Sequence, residues 1–254
     1  MLIDTHAHIN DPRLLPEAER IYSNLEKDGL SAAINIGYDR PSSEVCLDLA
    51  NKFEKFYAVL GVHPHDSRLA TKEDYDFFAK NASDPKVVAI GETGLDYYYD
   101  HSERETQKKV FIEHLELADS LKLPVVIHLR DAYQDMLSIF KEKKSLLNSG
   151  VVLHCYSGSV ETLREFLKFD DIYFSYGGAI TFKNTNKKEV VLATPRDRVL
   201  LETDCPYMTP APHRGETNYP AYINLVRDKM REWIDGDIDE ITTENAKRLF
   251  KKLN

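Results

Sequence analysis

No stretch of this 254-residue chain approaches the ~18 consecutive apolar residues of a membrane span, so no membrane partner is expected. Cysteine is scarce: Cys46, Cys155 and Cys205 lie far apart, with no CxxC pair. That excludes a disulfide framework and suits a reducing compartment. The start, Met1-Leu2-Ile3-Asp4-Thr5-His6, lacks the basic region and apolar run of a secretory signal. A cytoplasmic location is the expectation. Positive charge is also in deficit, with 33 Lys and Arg against 42 Asp and Glu, a formal net charge of −9. A broad basic surface for nucleic acid is therefore not available. A phosphate-bearing substrate would have to be held locally, by bound cations and a few arginines.

What the chain does have is apolar material, 42% of its residues, enough for a large core. β-Branched runs recur, each followed by a helical pattern. Strands are expected over 2–5, 32–37, 57–61, 87–91, 125–128, 151–154, 172–175 and 199–203. Helices are expected over 14–28, 42–54, 73–82, 103–122, 132–145, 159–168, 185–193 and 219–234. Runs such as Val87-Val88-Ala89-Ile90 suit strands buried on both faces of a parallel sheet. In the fourth helix Ser102 and Glu105 fit a capping box, and Val110, His114, Leu117 and Leu121 mark its apolar side. Eight strands alternating with eight helices is the count of a (β/α)8 TIM barrel, here one domain over 1–254. A last helix, 243–253, is expected outside the barrel, and 206–220 reads as a long loop of the kind that carries function.

Polar residues gather where these strands end. Six of nine histidines do so: His6 and His8 after strand one, His63 and His65 after strand three, His128 after strand five, His154 after strand six. Glu92 ends strand four and Asp204 strand eight. In a barrel these ends share one face, the face that carries active sites. The two-residue period lets His6 and His8 point at one ion. Asp4 and Glu202, one layer deeper by the same parity, are expected to steer ligand imidazoles. His6, His8, Glu92, His128, His154 and Asp204 together offer four imidazoles and two carboxylates. That set matches two divalent ions bridged by Glu92, with open positions for water and substrate. His101, His114 and the cysteines read as solvated or packing positions.

At these residues the chain resembles the TatD family of metal-dependent hydrolases, within the wider amidohydrolase-like barrels. The matching segments include Ile3-Asp4-Thr5-His6-Ala7-His8, Gly91-Glu92-Thr93-Gly94-Leu95-Asp96, Val126-Ile127-His128-Leu129-Arg130, His154-Cys155-Tyr156-Ser157-Gly158 and Glu202-Thr203-Asp204-Cys205-Pro206. Tyr156 stands where the family usually has Phe. The resemblance implies a (β/α)8 fold, the same six metal ligands, and metal-dependent DNase activity of the 3′-to-5′ exonuclease kind. Many related barrels bridge their metals with a carbamylated lysine after strand four; here that place is held by Glu92, and Lys86 lies at the other end of the strand.

The expected reaction is phosphodiester hydrolysis by metal-activated water. Asp204 would be the general base, Glu92 the bridge, and Arg130 the partner of the phosphate charge. His63 would orient substrate or protonate the leaving group. His65, Arg214 and Asn218 are candidate substrate contacts. The metals could be Mg, Mn or Zn. The expected partner is DNA, single-stranded or at a 3′ end, with no obligate protein partner. The alternative is a deacylase of D-aminoacyl-tRNA esters or a small-molecule amidohydrolase. A noncatalytic metal-binding protein ranks last, because no key acid is missing.

Overall fold

The computed structural model describes residues 1–253. Among them, eight parallel strands follow one another in chain order: β1 (Leu2–Ala7), β2 (Leu30–Ile36), β3 (Phe56–Leu60), β4 (Val87–Asp96), β5 (Val125–Arg130), β6 (Val151–Leu153), β7 (Ile172–Tyr176) and β8 (Val199–Leu201). The seam between β8 and β1 is closed by the residues that end those strands. Asp204 N donates to His6 O at 2.8 Å and His8 N to Cys205 O at 2.7 Å. The expected (β/α)8 barrel is the architecture observed.

Alternation along each strand explains the core. Ile34, Val59, Val126, Val152, Tyr173 and Leu200 fill the barrel interior. Their neighbours Ala33, Ala58, Ile127, Leu153, Phe174 and Leu201 face the helices. Both strand faces are thus dry, which is why the strands read as unbroken apolar runs. The outer layer is α1 (Ala18–Asn24), α2 (Arg40–Lys52), α3 (Lys72–Asn81), α4 (Arg104–Leu121), α5 (Tyr133–Glu142), α6 (Val160–Phe166), α7 (Lys187–Ala193) and α8 (Ile223–Arg231). No helix of the described chain is long and apolar enough to cross a membrane.

Two expectations are corrected here. Ser102 does not cap α4; its hydroxyl donates to His65 O at 2.7 Å and accepts from Arg68 N at 3.2 Å. A buried hydroxyl went to the backbone donor and acceptor of the neighbouring loop. The last helix, α9 (Ile238–Leu249), is not simply outside the barrel. Ala246, Leu249, Phe250 and Leu253 belong to the interior cluster. Asn245 Nδ2 donates to Val199 O at 2.9 Å, and Lys252 Nζ to the carbonyls of Ala82, Asp84 and Val87. These partners start strands or precede them, so α9 plugs the bottom of the barrel, opposite the histidines.

His114, read as a packing residue, is wholly buried on α4. Its Nδ1 donates to Val110 O at 2.8 Å and its Nε2 accepts from Val62 N at 3.0 Å. Both bonds need the neutral ring, and burial lowers its pKa to about 4. The unfolded chain therefore takes up this proton near pH 6.5 and the folded one only near 4. Stability from this group is complete above pH 6.5 and is lost as pH falls to about 4, a difference of ~3 kcal/mol. In His114→Gln, denaturant midpoints measured in chelator at pH 7 and pH 4.5 should lie closer together than in the parent. An unchanged gap would refute the assignment.

Candidate metal centre

At the top of the barrel the strand ends deliver two groups of ligand atoms. In the first, His6 Nε2 and His8 Nε2 lie 3.2 Å apart. Glu92 Oε2 is 3.4 Å from His6 and 3.8 Å from His8; Asp204 Oδ1 is 3.7 and 3.5 Å from the same two atoms. Four donors around one ion at ~2.1 Å would be separated by roughly 3.4 Å. In the second, Glu92 Oε1 meets His154 Nε2 at 2.8 Å, His128 Nδ1 at 3.1 Å and His63 Nε2 at 3.6 Å. One carboxylate thus gives one oxygen to each group.

The tautomers fit cations. His8 Nδ1 lies 3.0 Å from Ile36 O, which can only accept, so Nδ1 carries the hydrogen and Nε2 turns a lone pair toward Glu92 and Asp204. His128 Nε2 lies 2.9 Å from Asp96 Oδ2, which leaves Nδ1 facing Glu92 Oε1 with a lone pair. Lone pairs converging on carboxylate oxygens in a buried site need a positive charge among them. Burial alone would raise the Glu92 carboxyl, but the imidazoles, His154 and His6 foremost, outweigh it and hold it well below the usual range. Burial would likewise raise Asp204, and its bond to His8 reverses the direction. Burial, reinforced by His128, lowers the His63 imidazole well below its ordinary value.

All six proposed ligands therefore converge, and His63 joins them. The chain's buried His/Glu groups can hold metal ions, His63, Glu92 and His128 forming one such set. Around them lies a cavity of about 500 Å³, reached by His65 and Arg130.

Other expected roles change. Asp4 touches no imidazole ring. Its carboxylate accepts from Thr203 Oγ1 at 2.6 Å and Thr203 N at 2.9 Å, knitting β1 to β8. Simple alternation failed because the β1–β2 register shifts between Asp4 and Ala7. Glu202 lies near a ligand ring, with Oε1 3.7 Å from His154 Nδ1 and accepting from Cys155 N at 2.7 Å. Asn218 cannot reach substrate. It is fully buried, and its Nδ2 donates to Thr203 O at 2.8 Å and Tyr207 O at 2.6 Å. It fastens the long loop to β8. Arg214 lies on Phe182, 3.6 Å from the ring centre, away from the cavity lining.

Asp96 is the residue that sequence reasoning missed. Oδ2 meets His128 Nε2 at 2.9 Å and His65 Nε2 at 3.0 Å, while Oδ1 accepts from Tyr98 N at 3.0 Å and Tyr99 N at 2.9 Å. It shares the parity of Glu92 on β4, and that was the available signal. Asparagine cannot replace it, because donors face both oxygens and an amide has one acceptor end. Asp96→Asn should weaken metal affinity ~10–100-fold, read by chelator competition. An affinity within twofold of the parent would remove Asp96 from the centre. His101 was also misjudged as merely solvated; it lines the cavity, stacked on Tyr99.

Comparison with known proteins agrees with this geometry. A family profile described as TatD related DNase matches residues 3–251. A protein of Bacillus subtilis described as an uncharacterized metal-dependent hydrolase, YabD, is 41% identical, with 99% of each chain covered. Another metal-dependent hydrolase, YcfH of Escherichia coli K12, is 33% identical over 98% of this chain and 95% of its own. The crystal structure of YJJV, a TatD homolog of Escherichia coli K12, superposes with a TM-score of 0.91 at 28% identity, covering 98% of both chains.

Proposed function

Because this chain belongs to the TatD family of metal-dependent hydrolases, we propose that it hydrolyses phosphodiester bonds in DNA, releasing nucleotides from an unpaired 3′ end. The observation that carries this reading is the division of Glu92 between two imidazole groups. His6, His8, Asp204 and Glu92 would hold one divalent ion; Glu92, His128 and His154 would hold a second, with His63 beside it. Bound there, such ions would neutralise phosphate oxygens and lower the pKa of water.

The chain's own groups do the rest. Asp204 is the base. Its side chain is 14% exposed against 4% for Glu92, so water reaches it, and the Oδ1 flanked by His6 and His8 can take the proton. Arg130 follows His128 by two residues on β5 and lines the cavity, where its guanidinium meets charge that develops on the phosphate. His63 is neutral and close to Glu92, and it aligns the diester before leaving-group departure. The reaction belongs inside the cell, where no disulfide is needed for the fold: the three cysteines are free.

The test uses protein stripped by chelator and reloaded separately with Mg, Mn or Zn. A 3′-labelled single strand, bis(p-nitrophenyl) phosphate and a D-aminoacyl-tRNA ester are offered in parallel. Turnover of the strand and the small diester, absent without metal and abolished in Asp204→Ala, is the expected result. Turnover of the ester alone would replace this reading with a deacylase.

A further inference from the structure

The mouth of the barrel is unusually apolar for a site meant for a phosphate. Among the described residues, the exposed large apolar side chains include two adjacent pairs, Tyr98–Tyr99 (59% and 50% exposed) and Tyr207–Met208 (47% and 36%). Tyr99, Tyr207 and Met208 line the same cavity as the metal-binding groups.

The two pairs flank different halves of the centre. The Tyr207 ring lies 6.0 Å from His8, beside the His6–His8–Asp204 group. The Tyr99 ring lies 5.3 Å from His65, whose Nε2 meets the Asp96 oxygen that also holds His128. Both rings are held in place before any ligand arrives. Tyr207 donates its hydroxyl to Asp11 at 3.0 Å, and the Arg13 guanidinium covers it at 4.4 Å from the ring centre. Tyr99 is stacked on His101 with 13° between planes, and its backbone N is bonded to Asp96. Ordering a ring costs binding energy, and here it is ordered in advance.

From this arrangement we propose that the Tyr99–His101 pair and Tyr207 are two base-stacking subsites, which receive the nucleobases on either side of the diester being cut. The proposal rests on the phosphodiesterase reading and specifies its substrate: a strand whose last two bases are unpaired and unstacked. Stacking on aromatic rings tolerates any base, because every base has a π face. A cavity of about 500 Å³ has the volume of a small-molecule site, room for a nucleotide or two and not for a duplex. The net charge of −9 also disfavours a duplex laid across the surface. Stacking in the mouth supplies affinity that this acidic chain does not draw from a basic face.

The experiment compares two single strands on the metal-loaded enzyme, one ordinary and one with abasic sites at its two 3′-terminal positions. The parent should prefer the ordinary strand in kcat/KM by roughly 5- to 150-fold, the factor expected when one stacking contact is lost. Tyr99→Ala and Tyr207→Ala should each shrink that ratio, mainly through KM, and Tyr99→Phe should keep it. Thermal unfolding of each variant shows whether it is folded. Equal use of the two strands by an active parent, or a ratio untouched by both alanine variants, overturns the stacking subsites and leaves the phosphodiesterase reading standing. Inactivity on both strands and on bis(p-nitrophenyl) phosphate sinks that reading and takes the subsites with it.

Discussion

Glu92→Gln should leave a folded protein that binds metal poorly and loses catalysis on the order of 10³-fold or more. One anchor of a charge-stabilising centre contributes ~3–4 kcal/mol to the transition state, and Glu92 serves two groups at once. Its Oε2 is 3.4 Å from His6 Nε2 and its Oε1 2.8 Å from His154 Nε2. Glutamine keeps the shape but removes the negative charge and turns an amide donor toward one group of cations. Because the other group keeps an oxygen, metal content should fall unevenly. Elemental analysis of the purified variant, with kcat/KM on a single strand, checks both statements. Parent-like metal content and activity would mean that Glu92 is only a buried acid beside the site.

Gly94→Ala should be the most disruptive single methyl in this part of the chain, costing ~3–5 kcal/mol. Gly94 lies on β4 between Glu92 and Asp96, with φ +138°, a backbone conformation that L side chains rarely adopt. A Cβ there would sit 2.1 Å from His128 O, a backbone atom with nowhere to go. Relief would require β4 and β5 to part where they carry Glu92, Asp96 and His128. Activity and stability should therefore fall together. Gly215→Ala separates strain from clash, since its φ is +93° but no atom lies within 4 Å of the added Cβ. That variant should lose only ~1 kcal/mol. Urea midpoints of the two variants give the comparison, and equal losses would show that the contact with His128 is not the cause.

Much of this was legible in the chain as text. The alternation of buried strands with amphipathic helices led to the barrel, and the polar residues after each strand marked one rim. The misreadings have separate causes. Asp4 was assigned by alternation, and a register shift on β1 turned it to Thr203. Asn218 looked like a loop residue open to substrate, but its amide had two carbonyls to satisfy within the fold. The last helix carries apolar residues that suit an outer surface or a barrel floor equally well, and only closure of the interior made room for Leu249 and Phe250. Asp96 was visible as a strand-end acid without a stated purpose. Its role depends on His65 and His128, which are 31 and 32 residues away.

The order of amino acids by itself determined which elements form and which chemical groups reach the rim, because burial pattern and strand parity are local properties. Only the closed barrel decided which oxygen faces which nitrogen. Contacts such as Glu92 with His154, or Asp204 with His6, join atoms far apart in the chain, and their distances follow from shear, register and packing summed around all eight strands.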